Sequence, residues 1–172
     1  MKKSLILTVV APDRTGLVGE LSAIIAKHGA NWIDSSMVRL GGHFAGVLRI
    51  SIDAEDLKQL RLALLRLEDK GFTISLYEEG KQQSLPEGAQ AQISILGQDQ
   101  PGMLSRISGI LAYHHVSINE LTSCVEPGSM SGELMFKATA TIILPIKLSA
   151  EQLISDLEKI AGDIMIELDY LQ

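Results

Sequence analysis

The sequence predicts an α+β chain built from two copies of one small domain, each running strand, helix, strand, strand, helix, strand. Three observations predict it. The first is internal repetition: Ala11-Pro12-Asp13-Arg14-Thr15-Gly16-Leu17-Val18 returns as Gly97-Gln98-Asp99-Gln100-Pro101-Gly102-Met103-Leu104, a period of 86 residues from Asp13 to Asp99. The match continues through Ser22 and Ser108, Ile24 and Ile110, Ala26 and Ala112, and His28 and His114. That period exceeds the roughly 20 to 50 residues of solenoid units, so each copy is read as a domain with its own core. The second observation is that strand-length apolar runs alternate, in both copies, with apolar residues at helical spacing. The third is a polar stretch, 80–89, which has no apolar period and separates a domain at 1–79 from one at 90–172.

Leu5 to Val10 is a continuous apolar run and predicts a central strand buried on both faces. After the Pro12 to Gly16 turn, Leu17, Val18, Leu21, Ile24 and Ile25 fall at helical spacing, with Gly29 as the stop. Asn31 to Leu40 and Phe44 to Ile52 read as extended, and Gly41-Gly42-His43 between them predicts a hairpin. Asp53 is positioned to cap a second helix carrying Leu57, Leu60, Leu64 and Leu67, ended by Gly71, and Phe72 to Tyr77 closes the domain.

The second copy repeats this order. It has strands at Ala91 to Leu96, Ser117 to Val125 and Glu133 to Leu144, a helix from Gly102 to His114, and a last strand at Asp163 to Tyr170. Ser149-Ala150-Glu151-Gln152 forms a capping box ahead of Leu153, Ile154, Leu157 and Ile160. The copies differ at the hairpin, where Glu126 to Gly132 is longer and is expected to protrude. The arrangement expected of each copy is ferredoxin-like, with the first strand central.

Composition narrows the function classes. The 172 residues are 46% hydrophobic, ample for two cores, and carry a formal net charge of -6 with no Lys or Arg cluster, which argues against direct nucleic-acid binding. The N-terminus starts like a signal peptide, but its apolar stretch runs into Pro12-Asp13-Arg14 and reads as a strand. No run reaches the ~18 apolar residues of a membrane span. The single cysteine, Cys124, fits a reducing cytoplasm and is expected to be a buried strand residue. His28, His114 and His115 lack a second ligand pair for a metal and are read as helix-end residues. Trp32 is read as core or interface. No nucleophile elbow, P-loop or dinucleotide motif is present, so neither a cofactor nor an enzymatic reaction is expected.

The turn before each first helix is where chemistry can sit. A helix start has unpartnered N–H groups and a dipole favouring negative charge. Gly16 and Gly102 permit close approach, and Asp13 and Asp99 stand just ahead, where a carboxylate can hold an ammonium. A cation acceptor beside an amide nest matches the head group of a free α-amino acid. From these residues alone, helix capping by the aspartates and plain turn geometry at the glycines are the favoured account. Asn31, after Gly29-Ala30, is expected on the same edge as the turn. Ser117 takes its place in the second copy, with Asn119 two residues on and on the same strand face.

Asp13-Arg14-Thr15-Gly16-Leu17-Val18 with Gly29-Ala30-Asn31-Trp32-Ile33-Asp34 resembles the signature of ACT domains, small-molecule-binding βαββαβ modules that regulate amino-acid metabolism. Asp99-Gln100-Pro101-Gly102-Met103-Leu104 is the closer copy of the Asp-x-Pro-Gly turn. Two such domains spanning the chain resemble the glycine cleavage system transcriptional repressor family. The resemblance implies a cytoplasmic negative regulator that senses a small amino acid, glycine first, and acts on a DNA-binding transcriptional activator protein. It implies ligand contacts at Asp13, Thr15, Gly16, Leu17 and Asn31, and at Asp99, Pro101, Gly102, Met103, Ser117 and Asn119. Thr15 replaces the family's usual Pro and Ser117 its usual Asn, so the two sites are not expected to be equivalent. The alternative is a ligand-free protein–protein interaction module regulating through partner concentration. Open sheet edges also leave homo-oligomer formation open.

Overall fold

A computed structural model of the chain describes residues 1–80, 86–128, 132–160 and 164–171. The chain divides into two compact units, Met1–Gln83 and Ser84–Gln172. The first contains β1 (Lys2–Pro12), α1 (Leu17–Lys27), β2 (Asn31–Leu40), β3 (His43–Asp53), α2 (Leu57–Leu65), a 3-10 turn at Glu68–Lys70 and β4 (Thr73–Glu78). Its four strands lie in the order β2-β3-β1-β4 with β1 central. The second contains β5 (Gly88–Gln98), α3 (Met103–Tyr113), β6 (Ser117–Pro127), β7 (Leu134–Pro145), α4 (Ala150–Glu158) and β8 (Met165–Tyr170), in the order β6-β7-β5-β8. All neighbouring strands pair antiparallel. Of the expected linker, residues 81–85 lie outside the described residues, while Gly88 and Ala89 already belong to β5.

Each unit has its own apolar core. In the first, Leu5, Leu7, Val9 and Ala11 of β1 pack with Leu48, Ile50 and Ile52 of β3 beneath Leu17, Leu21 and Ile25 of α1 and Leu60 and Leu64 of α2. In the second, Ala91, Ile93 and Ile95 pack with Ala138, Ala140 and Ile142 beneath Met103, Ile107, Leu111, Leu153 and Leu157. Trp32 packs partly buried against the first core. Ala30 N–H reaches the Ile25 carbonyl at 3.1 Å, and Val116 N–H reaches that of Leu111 at 2.9 Å. These bonds close the two first helices alike, with Gly29 (φ +72) and His115 (φ +56) in the left-handed region.

Several expectations are corrected. Strand β1 is buried on one face only: Ile6 and Thr8 are half-buried and Val10 is exposed on the other, because helices cover a single side of the sheet. Asp53 ends β3 and accepts the Asp56 N–H through its carbonyl, while Asp56 is the capping residue of α2 and makes no side-chain cap bond. Ser149 does cap α4, accepting the Gln152 N–H at 3.2 Å. Cys124 is exposed, because the edge strand β6 turns it to the open sheet face opposite Lys137. The core of the longer hairpin, residues 129–131, lies outside the described residues, as do Asp163 and its neighbours 161–162.

Candidate functional site

The two turns share one backbone. Asp13 N–H donates to the Gly42 carbonyl at 2.9 Å, tying the turn to the β2–β3 hairpin, and Asp99 N–H does the same to Leu134 at 2.8 Å. Gly16 (φ +91) and Gly102 (φ +84) stand at the helix starts in the left-handed conformation, and neither helix has a side-chain cap. Neither aspartate therefore caps its helix. Beyond the adjoining residues, no atom of the described residues lies within 4 Å of where a Cβ would sit on either glycine, so these approaches are open.

Charge separates the turns. At the first, Asp13 Oδ2 is held by Arg39 Nε of β2 at 2.7 Å. Glu20, in the opening turn of α1, takes Arg14 at 2.6 Å and Lys70 as well, and Arg14 lies over the Phe72 ring at 5.7 Å. The Lys70 ammonium, then the Arg14 guanidinium, hold the Glu20 carboxyl below its ordinary value. All these charges are matched.

At the second turn the corresponding positions, one period on, are Val125 for Arg39, Gln100 for Arg14 and Arg106 for Glu20. Asp99 has no ion-pair partner among the described residues, nor has Arg106. Among the described residues the Arg106 guanidinium donates to the Gln100 amide oxygen and the Ile160 carbonyl, each at 3.3 Å. Met103 N–H is occupied by the Gln100 carbonyl at 3.2 Å, which leaves the other first-turn amides of α3. Thr15 and Pro101 are exposed turn residues, and Leu17 and Met103 are buried, their side chains serving the cores.

Asn31 does not join the turn. Helix α1 carries the chain back along the sheet, so β2 starts at the far end: Asn31 pairs with Ser51, eight residues along β3 from His43, which faces Pro12. At about 3.3 Å per residue that is roughly 26 Å, beyond the reach of any single amino acid. Ser117 is equally distant in the second unit, pairing with Ile143. Asn119 is the extra residue of a bulge between Ile118 and Glu120, so it does not follow Ser117 on one face; the same bulge falls at Ile33 in the first unit.

His28 and His114 serve helix ends. His28 Nδ1 donates to the Ile24 carbonyl at 2.8 Å, and His114 Nε2 donates to Asp156 Oδ2 of α4 at 2.8 Å. A groove of about 520 Å³ lies on the open face of the first sheet along Asp34, Val47, Arg49 and Glu79, and Asp13 does not line it.

Sequence reasoning did not single out Arg39, Glu20 or Arg106. Laying the copies one period apart would have exposed them as charge reversals or losses within an otherwise matched turn.

Residues 3–77 and residues 91–162 each match the ACT domain profile. The glycine cleavage system transcriptional repressor of Escherichia coli strain K12 is 23% identical over 124 residues, which cover 72% of this chain and 65% of the repressor's length. A crystal structure of a protein of unknown function from Galdieria sulphuraria superposes over 100% of both chains, with a TM-score of 0.86 and 26% identity. One provisionally described as a glycine cleavage system transcriptional repressor covers 100% of this chain and 99% of its own, with a TM-score of 0.74 and 16% identity, a likeness of fold. The chain belongs to the ACT-domain family and carries two ACT domains in tandem.

Proposed function

We propose that this chain is an amino-acid-responsive regulator, without catalytic activity of its own, that restrains a DNA-binding transcriptional activator of glycine cleavage and is relieved by glycine. The observation carrying the sensing half is a pair at the second turn without ion-pair partners among the described residues: a carboxylate, Asp99, and a guanidinium, Arg106, flanking a glycine-opened helix start. That arrangement complements a zwitterion. Asp99 takes the ammonium, and Arg106 with the free first-turn amides takes the carboxylate. The regulatory half rests on the ACT profile and on the distant similarity to the repressor.

Ligand binding regulates only through differential affinity for two states, so glycine must weaken the hold on the activator. Calorimetric titration of the purified chain with glycine, serine and alanine tests the first step, and capture of the activator with and without glycine tests the second. Saturable heat that disappears in Asp99→Ala is expected. One observation favours a ligand-free interaction module: the grooves along Lys137 and Met165, along Arg61 and Leu64, along Asp34 and Arg49, and along Leu104 and Leu121 are lined by neither Asp13 nor Asp99. Flat titrations, together with glycine-insensitive capture, would establish that module instead.

A further inference from the structure

We infer that Arg39 closes the first turn to ligand by occupying the carboxylate of Asp13, so that the chain carries one operative amino-acid site, at Asp99. The inference rests on the sensing role proposed above and adds which domain performs it, and why. Arg39 Nε lies 2.7 Å from Asp13 Oδ2, an ion pair between an exposed guanidinium and a partly buried carboxylate. A guanidinium mounted on a strand confronts the carboxylate at an effective concentration of about millimolar or more, so a free amino acid at similar concentration gains little by displacing it.

The rest of that turn is closed in the same manner. Glu20 puts a carboxylate in the first turn of α1, where a ligand's own carboxylate would have to sit, and Arg14 is already committed to it. The second turn reverses each feature. Val125 stands where Arg39 does and cannot pair with Asp99, and Arg106 replaces the acid with a base. Arg39 is thus an internal stand-in for the ligand's ammonium. It is a positioning residue, acting through Asp13.

The test is glycine titration of the full chain by calorimetry, read as stoichiometry, with circular dichroism confirming that each variant is folded. Wild type is expected to bind one equivalent, lost in Asp99→Ala and kept in Asp13→Ala. Arg39→Val, which installs the residue of the second copy, is expected to add a weaker second equivalent that depends on Asp13. Arg39→Lys keeps a tethered cation and is expected to stay at one. The converse change, Val125→Arg, is expected to weaken glycine binding at least tenfold. Wild-type binding with Arg39→Val still at one equivalent, or Val125→Arg without effect, overturns the inference and leaves the sensing role standing. Absence of glycine binding in every variant overturns both.

Discussion

The two ACT domains have the same turn and opposite electrostatics. Asp13 and Asp99 are fixed by equivalent backbone bonds to their hairpins and are followed by equivalent left-handed glycines. Around the first, every charge has a partner; around the second, an acid and a base stand apart with none among the described residues. The backbone of the repeat is specified by glycines and apolar residues, which both copies keep. Its surface chemistry is specified by three positions, 14, 20 and 39 and their counterparts 100, 106 and 125, which are free to diverge because they carry little of the folding energy.

The largest effects should be the same in both domains. Leu7 and Ile93 are fully buried at corresponding positions of β1 and β5. Leu7→Ala and Ile93→Ala should each cost about 2 to 5 kcal/mol. Chemical denaturation with hydrogen exchange should place each loss in its own core; a cost under 1 kcal/mol at one position would show that the cores are not equivalent.

Next in size are the turn glycines. Nothing crowds a Cβ at Gly16 or Gly102, so Gly16→Ala and Gly102→Ala are strained by backbone alone, by about 1 to 2 kcal/mol each. Equal costs, measured by thermal melting, would confirm that the turns share a conformation whatever their charges.

The second helices should differ. Ser149→Ala removes an observed cap bond and should cost about 1 kcal/mol, whereas Asp56→Ala removes none and should cost a few tenths at most. Comparable losses would mean that Asp56 caps in solution.

The smallest effect is acid-dependent. In the second domain Asp156 is held below its ordinary value by the Lys159 ammonium first and by the His114 ring second. A carboxylate whose folded value is depressed contributes stability that is complete above the unfolded value, about 3.9, and is lost as pH falls through the lower folded value. Stability of wild type should therefore decline more steeply below pH 4 than that of Asp156→Asn. Identical profiles would remove the ion pair from the account. The carboxylate is only partly buried, so solvent screens the pair and the difference should be slight.

Much of this was legible in the sequence. The 86-residue period, the element order and the Ser149 cap are written in local residue types, and local rules read them. What was not legible depended on where elements travel. Asn31 follows Gly29 closely, yet α1 returns the chain to the opposite end of the sheet, and only the register with Ser51 reveals the separation. The continuous apolar run of β1 suggested two covered faces, but which faces helices cover is a tertiary outcome. Cys124 looked buried because it sits among strand residues; on the edge strand that side faces outward. Arg39 lies 26 positions from Asp13, and a hairpin was needed to bring them together.

The most direct test is an NMR titration of the isotope-labelled chain with glycine, following the backbone amides of both turns. The account predicts saturable shifts at Gly102 and its neighbours in α3, and none beyond baseline at Gly16 and Leu17. Shifts confined to the first turn, or none at either, would contradict it.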